Sequence, residues 1–138
     1  MLIDLDDEGR RRRNEICMKS GAHELLGQLT EELGEAIQSV MEVKEAFGCA
    51  ITQDQAWKID RMIRKCGELI KAAQKVRRAM NGTTPVSLDD AVVHLSEECA
   101  DIAVCIDALI EVGLIEEDKI QSIGRYKNDR WHGRVCGS

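Results

Sequence analysis

The chain is short of the residues that build most mixed folds. Aromatic side chains make up only 3% of its 138 residues, against 43% apolar residues in all. The bulk of any core must therefore be Leu, Ile, Val, Ala and Met, as in helical bundles. No run of about 18 apolar residues occurs, so no membrane span is expected. Strand-like alternation, internal repeats and low-complexity segments are also missing. The six cysteines (17, 49, 66, 99, 105 and 136) form no C-x-x-C pair. Secreted disulfide scaffolds are shorter and denser in cysteine, so reduced thiols are expected, several of them buried as small hydrophobes. No apolar signal core precedes the basic run at 10–13, and a cytoplasmic location is expected. Positive charge is in deficit, with 19 basic against 25 acidic residues and a net charge of −6. That balance argues against a partner such as a nucleic-acid polymer or a membrane surface. It leaves room for a small anionic ligand held through metal ions.

The length fits one domain with a workable core. The reading is a single all-α domain over 1–138, a four- to five-helix bundle with an N-terminal arm at 1–19 and an irregular tail at 132–138. Ser20 is placed to cap a first long helix that runs to Phe47 and stops at Gly48. Thr52 with Gln55 resembles a capping box and opens a second helix, which ends near Met80 before Asn81-Gly82. The lone proline, Pro85, falls in the following loop. Ser87 with Asp90 opens a third helix ending at Gly113, where glycine accepts the left-handed conformation. A fourth starts around 116–118; its acidic start and basic end suit the helix dipole. A short fifth helix is expected near the N-terminus.

Two acidic clusters stand out, Glu31-Glu32-Leu33-Gly34-Glu35 and Glu97-Glu98-Cys99-Ala100-Asp101. On the first long helix, Leu25, Leu29, Ala36, Val40, Val43 and Phe47 form an apolar stripe. Turning by about 100° per residue puts Glu32 at its edge, with Glu35 and Gln28 just beyond. On the third, Leu95, Cys99, Ile102, Ile106 and Leu109 form a stripe flanked by His94, Glu98 and Asp101. Carboxylates beside a core stripe are costly to bury unless a cation compensates them, and a hard divalent ion with oxygen ligands does so most cheaply. Two such helices packed side by side would face their acidic flanks across a shared groove, a metal site of the bundle kind. Residues three apart share a face, so Glu32 with Glu35 and Glu98 with Asp101 are the candidate metal ligands. The bland alternative is solvated surface acids with incidental spacing. A carboxylate-bridged iron site would want Glu-x-x-His pairs, and no E-x-x-H occurs.

Gln28-Leu-Thr-Glu-Glu-Leu-Gly-Glu35, Glu97-Glu98-Cys-Ala-Asp101 and Lys127-Asn128-Asp129-Arg130-Trp131 together resemble the motifs of the MazG-like nucleoside triphosphate pyrophosphohydrolases. The resemblance covers roughly residues 21–131, in the family's order. It implies an oligomeric all-α hydrolase, a homodimer or homotetramer, that binds Mg²⁺, with Mn²⁺ able to substitute. Glu32, Glu35, Glu98 and Asp101 would be metal ligands. Glu31 would bind a further ion or orient the attacking water, and Glu31 and Glu35 are the catalytic candidates. Lys127, Asn128 and Arg130 would contact phosphates. Trp131 is placed either to cover the nucleotide or to anchor the last helix, and His94 either to approach the base or to hydrogen-bond a neighbouring carboxylate. The implied reaction is attack by water between the α- and β-phosphates of a (d)NTP, giving (d)NMP and pyrophosphate, in nucleotide metabolism. A purine deoxynucleotide (dGTP or dATP) is the expected substrate, with dUTP or dCTP as the alternative. A non-catalytic helical interaction protein is the alternative of another class. The stretch between Glu35 and Glu98 is longer than in compact family members and holds a whole helix, about 52–80, which puts the substrate in doubt. Trp57 is read as packing or interface. The 10–13 run is read as solvated, and Gly34 as a site of close helix approach that costs up to about 1 kcal/mol of helix propensity.

Overall fold

A computed structural model describes residues 2–137. The described residues form helices α1 (Asp7–Lys19), α2 (Ala22–Phe47), α3 (Gln53–Met80), α4 (Leu88–Glu111) and α5 (Glu117–Cys136), with a 3-10 turn at Gly48–Ala50. The all-α expectation is met, and no strand occurs among the described residues.

Local chemistry sets most of the boundaries. Thr52 Oγ1 accepts from the Gln55 N–H and Gln55 Oε1 accepts from the Thr52 N–H, both at 3.1 Å, a reciprocal capping box that opens α3. Ser87 Oγ accepts from the Asp90 N–H at 3.1 Å and opens α4. Gly113, at φ 77°, takes the left-handed conformation just beyond α4. The short helix expected near the N-terminus is α1, started by Asp6, which accepts from the Gly9 N–H at 2.7 Å. Two expectations are corrected. Ser20 does not cap α2; it closes α1, its N–H donating to the Ile16 carbonyl. The tail at 132–138 is not irregular: α5 continues to Cys136 and stops at Gly137, φ 65°. No proline interrupts that stretch, and the interior Gly133 costs only about 1 kcal/mol, too little to end a helix packed on a partner.

The chain divides into two compact units, one of Met1–Leu25 with Gly113–Ser138 and one of Leu26–Val112. In the first, α1 packs along α5. Its buried apolar side chains are few, Leu5 and Ile16. Polar contacts carry much of the rest. Arg13 Nε donates to Asn128 Oδ1 at 2.7 Å, and Asn128 Nδ2 donates to the Gly9 carbonyl at 3.1 Å. Arg12 pairs with Asp129 at 3.0 Å, Arg10 with Asp7, and Arg11 with Glu8 and Glu15. The basic run at 10–13 is thus taken up by ion pairs and hydrogen bonds within its own unit.

In the second unit α3 packs along α4. The buried residues Ile59, Met62, Cys66, Leu69, Ala73 and Val76 step by three and four along α3, the heptad signature of a two-helix seam. On α4, Ala91, Glu98 and Cys105 are buried at intervals of seven, followed by Leu109. The helices are antiparallel: Trp57 shares a hollow with Ala108, Lys65 meets Asp101, and Ala72 shares another hollow with His94. Cys66 and Cys105 lie buried on this seam, and burial, with a smaller effect from Cys105, pushes the Cys66 thiol up from its ordinary value. The stripe expected through Cys99 is about one residue out of phase, since Cys99 is exposed and Glu98 lies on the seam itself.

α2 departs furthest from expectation. Leu33 is its one buried residue, and Val43 and Phe47, expected on the core stripe, are exposed. α2 does not lie packed along α4; that place is taken by α3, whose seam is the stronger heptad. Gly34 has open space where a Cβ would stand, so close helix approach does not explain it.

Candidate metal centre

The α3–α4 register builds an acidic centre that the sequence reading only half identified. Glu98 and Asp101, three apart on α4, come together with Glu68 of α3, and one carboxylate oxygen from each lies within 4.8 Å of the others. Glu68 was missed because it sits amid the basic residues of α3 with no second acid at helical spacing. Its seam neighbour Leu69 and the antiparallel pairing place it opposite Glu98.

Glu98 is the unusual member. It holds a seam position where the heptad calls for an apolar side chain, and it is only 9% exposed. Its Oε2 is buried without a hydrogen-bond partner, and its Oε1 lies 4.0 Å from His94 Nε2. An unmet buried carboxylate oxygen is expensive, and a cation is the natural compensation. The chain brings one cation of its own: Lys65 Nζ sits 2.9 Å from Glu68 Oε2 and 3.1 Å from Asp101 Oδ2. The hydrogen bond to Glu68, then that to Asp101, raises the Lys65 pKa, and Lys65 in turn lowers that of Glu68. Lys65 does not reach the orphan oxygen of Glu98. Three carboxylates form a hard oxygen donor set of the kind that suits Mg²⁺ or Mn²⁺.

A groove of ≈ 560 Å³ opens beside this centre. Glu68, Glu98 and His94 border it, and Lys71, Lys75 and Arg78 line it from α3. The three cations repeat at four and three residues, one helix face. Carboxylates at one end and cations along the wall can hold a metal ion and the phosphates it neutralises. These basic residues were also missed, since the helix at about 52–80 was read only as an insert bearing on the choice of substrate.

The remaining predicted residues lie elsewhere. Glu31, Glu32 and Glu35 are exposed on α2, so the expectation that they turn inward is not met within one chain; Glu32 accepts only from Gln28 Nε2, at 2.8 Å. They join no group of three metal donors among the described residues. Lys127, Asn128, Arg130 and Trp131 belong to the α1–α5 unit. Asn128 is 2% exposed, with its amide committed to Arg13 and Gly9, and so is closed to a phosphate in this conformation. Lys127 borders an apolar pocket of ≈ 550 Å³ lined by Ile3, Leu114, Ile115, Ile120 and Ile123. Arg130 is exposed and Trp131 half-buried. Trp57 is largely exposed, with the Arg61 guanidinium 5.6 Å from its ring centre, rather than packed in a core. Among the described residues, no helix is long and apolar enough to cross a membrane. Comparison with protein-family models, curated proteins and solved structures finds no significant match to this chain.

Proposed function

We propose that the chain is an Mg²⁺-dependent nucleoside triphosphate pyrophosphohydrolase of the MazG-like type, converting a (d)NTP to (d)NMP and pyrophosphate. The observation that carries this reading is the buried, unpartnered Glu98 oxygen beside Glu68 and Asp101, at the head of a groove walled by Lys71, Lys75 and Arg78. Glu68, Glu98 and Asp101 would hold the ion. When bound, Mg²⁺ supplies charge neutralisation at phosphate oxygens and lowers the pKa of a bound water. Lys71, Lys75 and Arg78 bind and orient the phosphate chain, and His94 flanks it. Positioned charges of this kind account for most of the barrier lowering in phosphate transfer. By resemblance, Glu31, Glu32 and Glu35 form a second acidic face, with Glu31 and Glu35 acting on the water. Lys127 and Arg130 remain phosphate contacts of the α1–α5 unit. The exposed apolar residues Met41, Val43 and Phe47 of α2 support a homodimer or homotetramer as the working form. A dGTP or dATP preference, with dUTP or dCTP as the alternative, completes the reading.

The test is incubation of pure protein with each nucleotide and Mg²⁺ or Mn²⁺, with products separated by anion exchange. Pyrophosphate and monophosphate are expected, and loss of both in Glu98→Gln. Release of orthophosphate, or no turnover of any nucleotide, overturns it. Lys65 favours a second reading, in which the ammonium satisfies Glu68 and Asp101 and the α3–α4 hairpin is a metal-free interaction module. That reading expects no shift of the melting temperature with Mg²⁺.

A further inference from the structure

The α1–α5 unit holds a second donor cluster of different chemistry. Glu15 of α1 meets His132 and Cys136 of α5, with one donor atom from each within 4.8 Å of the others. His132 Nε2 is hydrogen-bonded to Glu15 Oε2, and Arg11 holds the other carboxylate oxygen, Oε1. The His132 side chain is 14% exposed and that of Glu15 38%, so the cluster is sheltered but open to an incoming ion.

We propose that Glu15, His132 and Cys136 form a binding site for a borderline-soft divalent transition metal, with Zn²⁺ the best match. Three observations converge. The donors are one carboxylate, one imidazole and one thiol, a mixed O/N/S set that selects zinc-like ions and disfavours Mg²⁺ and Ca²⁺. His132 and Cys136 are four apart on one helix face, which exists only because α5 continues to Cys136. Arg11 fixes the carboxylate from outside, as the outer partners of metal ligands do. Three protein ligands leave a fourth position for water. The donor atoms lie within 4.8 Å of one another, close enough for side-chain rotation to bring them around one ion once the Glu15–His132 hydrogen bond opens. Binding displaces the proton of the Glu15–His132 hydrogen bond and the thiol proton of Cys136, and both leave to solvent; no electron moves.

The unit has use for such a staple. Among its described residues the buried apolar side chains are Leu5 and Ile16, a small core for two helices of 13 and 20 residues. Small domains with little core commonly rely on a metal or a disulfide, and a metal that ties α1 to the end of α5 adds its binding free energy to folding.

Co²⁺ added to the reduced 138-residue chain is the direct probe. The expected result is one tightly bound ion per chain, with a thiolate-to-cobalt charge-transfer band and intense visible bands of tetrahedral type. Zn²⁺ should displace it stoichiometrically, and excess Mg²⁺ should not. Cys136→Ser should abolish the charge-transfer band, and Cys136→Ala is the second variant should serine disturb the helix. His132→Ala should weaken Zn²⁺ binding by more than the about 10- to 100-fold typical of outer-shell changes. Cys17→Ser and Glu98→Gln should leave both bands intact. Absence of the charge-transfer band in the unmodified chain, or its survival in both Cys136 variants, overturns the proposal.

Discussion

Replacing Glu98 by leucine separates what the carboxylate costs from what it does. Glu98 occupies the middle of the run Ala91, Glu98, Cys105 on the buried face of α4, 9% exposed, with Oε2 lacking any partner and Oε1 4.0 Å from His94. An unsatisfied buried acceptor costs about 1–3 kcal/mol. Leucine removes that cost and adds an apolar side chain to a seam that wants one. Against this stands imperfect fit, up to about 1.5 kcal/mol for a swap of comparable volume. The expected balance in chelator is a Glu98→Leu protein about as stable as the parent or more stable by up to about 3 kcal/mol. Saturating Mg²⁺ shifts the balance back toward the parent. At a hundred times its dissociation constant the ion stabilises the parent by about 2.7 kcal/mol, and it should do nothing for the leucine variant. The assay is urea unfolding followed by far-ultraviolet circular dichroism, in EDTA and in Mg²⁺, with pyrophosphate release measured in parallel. An equal Mg²⁺ shift in both proteins would refute Glu98 as a metal ligand. A variant destabilised by more than about 1.5 kcal/mol in EDTA would refute the claim that the carboxylate is unmet.

Other outcomes follow from particular contacts. Gly34→Ala meets open space on α2 and should stabilise the helix by about 0.5–1 kcal/mol, seen as a higher urea midpoint. Asn128→Ala strips Arg13 and the Gly9 carbonyl of their partner and should cost about 1–3 kcal/mol, seen as faster amide exchange in α1 and α5. The Arg11 hydrogen bond, first among several causes, holds the Glu8 pKa near about 2, below its ordinary 4.5. A depressed carboxyl stabilises the fold above its ordinary pKa and loses that contribution as pH falls through the depressed one. Helix α1, which carries both partners, should therefore lose that support as pH falls from 4.5 to about 2, with Arg11→Gln moving the loss to higher pH; far-ultraviolet circular dichroism reads it. Lys71→Ala with Lys75→Ala should raise KM by about tenfold or more, about 1.4 kcal/mol, with kcat less affected, in a steady-state titration of nucleotide.

What could be read from the sequence was local. Thr52 with Gln55, Ser87 and the Asn81-Gly82 stop act within a few residues, and each lies where their chemistry places it. Phase and pairing were harder. A shift of one residue turns a helix by about 100°, enough to send Cys99 to solvent and Glu98 to the seam. Glu98 and Asp101 were legible as a pair because they lie on one helix at close spacing. Glu68 reaches them only through the antiparallel register of α3, a long-range fact that no spacing encodes. Ser20 was assigned to the wrong helix because a serine between two helices suits either end. The tail at 132–138 was read as irregular; the continuation of α5 through it is accompanied by contacts with α1, such as His132 to Glu15.

The thiols of Cys66 and Cys105 give the α3–α4 seam an internal clock. Both are buried, whereas Cys17, Cys49 and Cys99 are exposed. Burial also keeps Cys66 protonated and therefore unreactive. An alkylating reagent should consume the exposed thiols at once and reach the buried pair only when the hairpin parts. The slow phase of labelling then measures how often α3 and α4 separate in the native protein, and any ion bridging Glu68 to Glu98 should lengthen it.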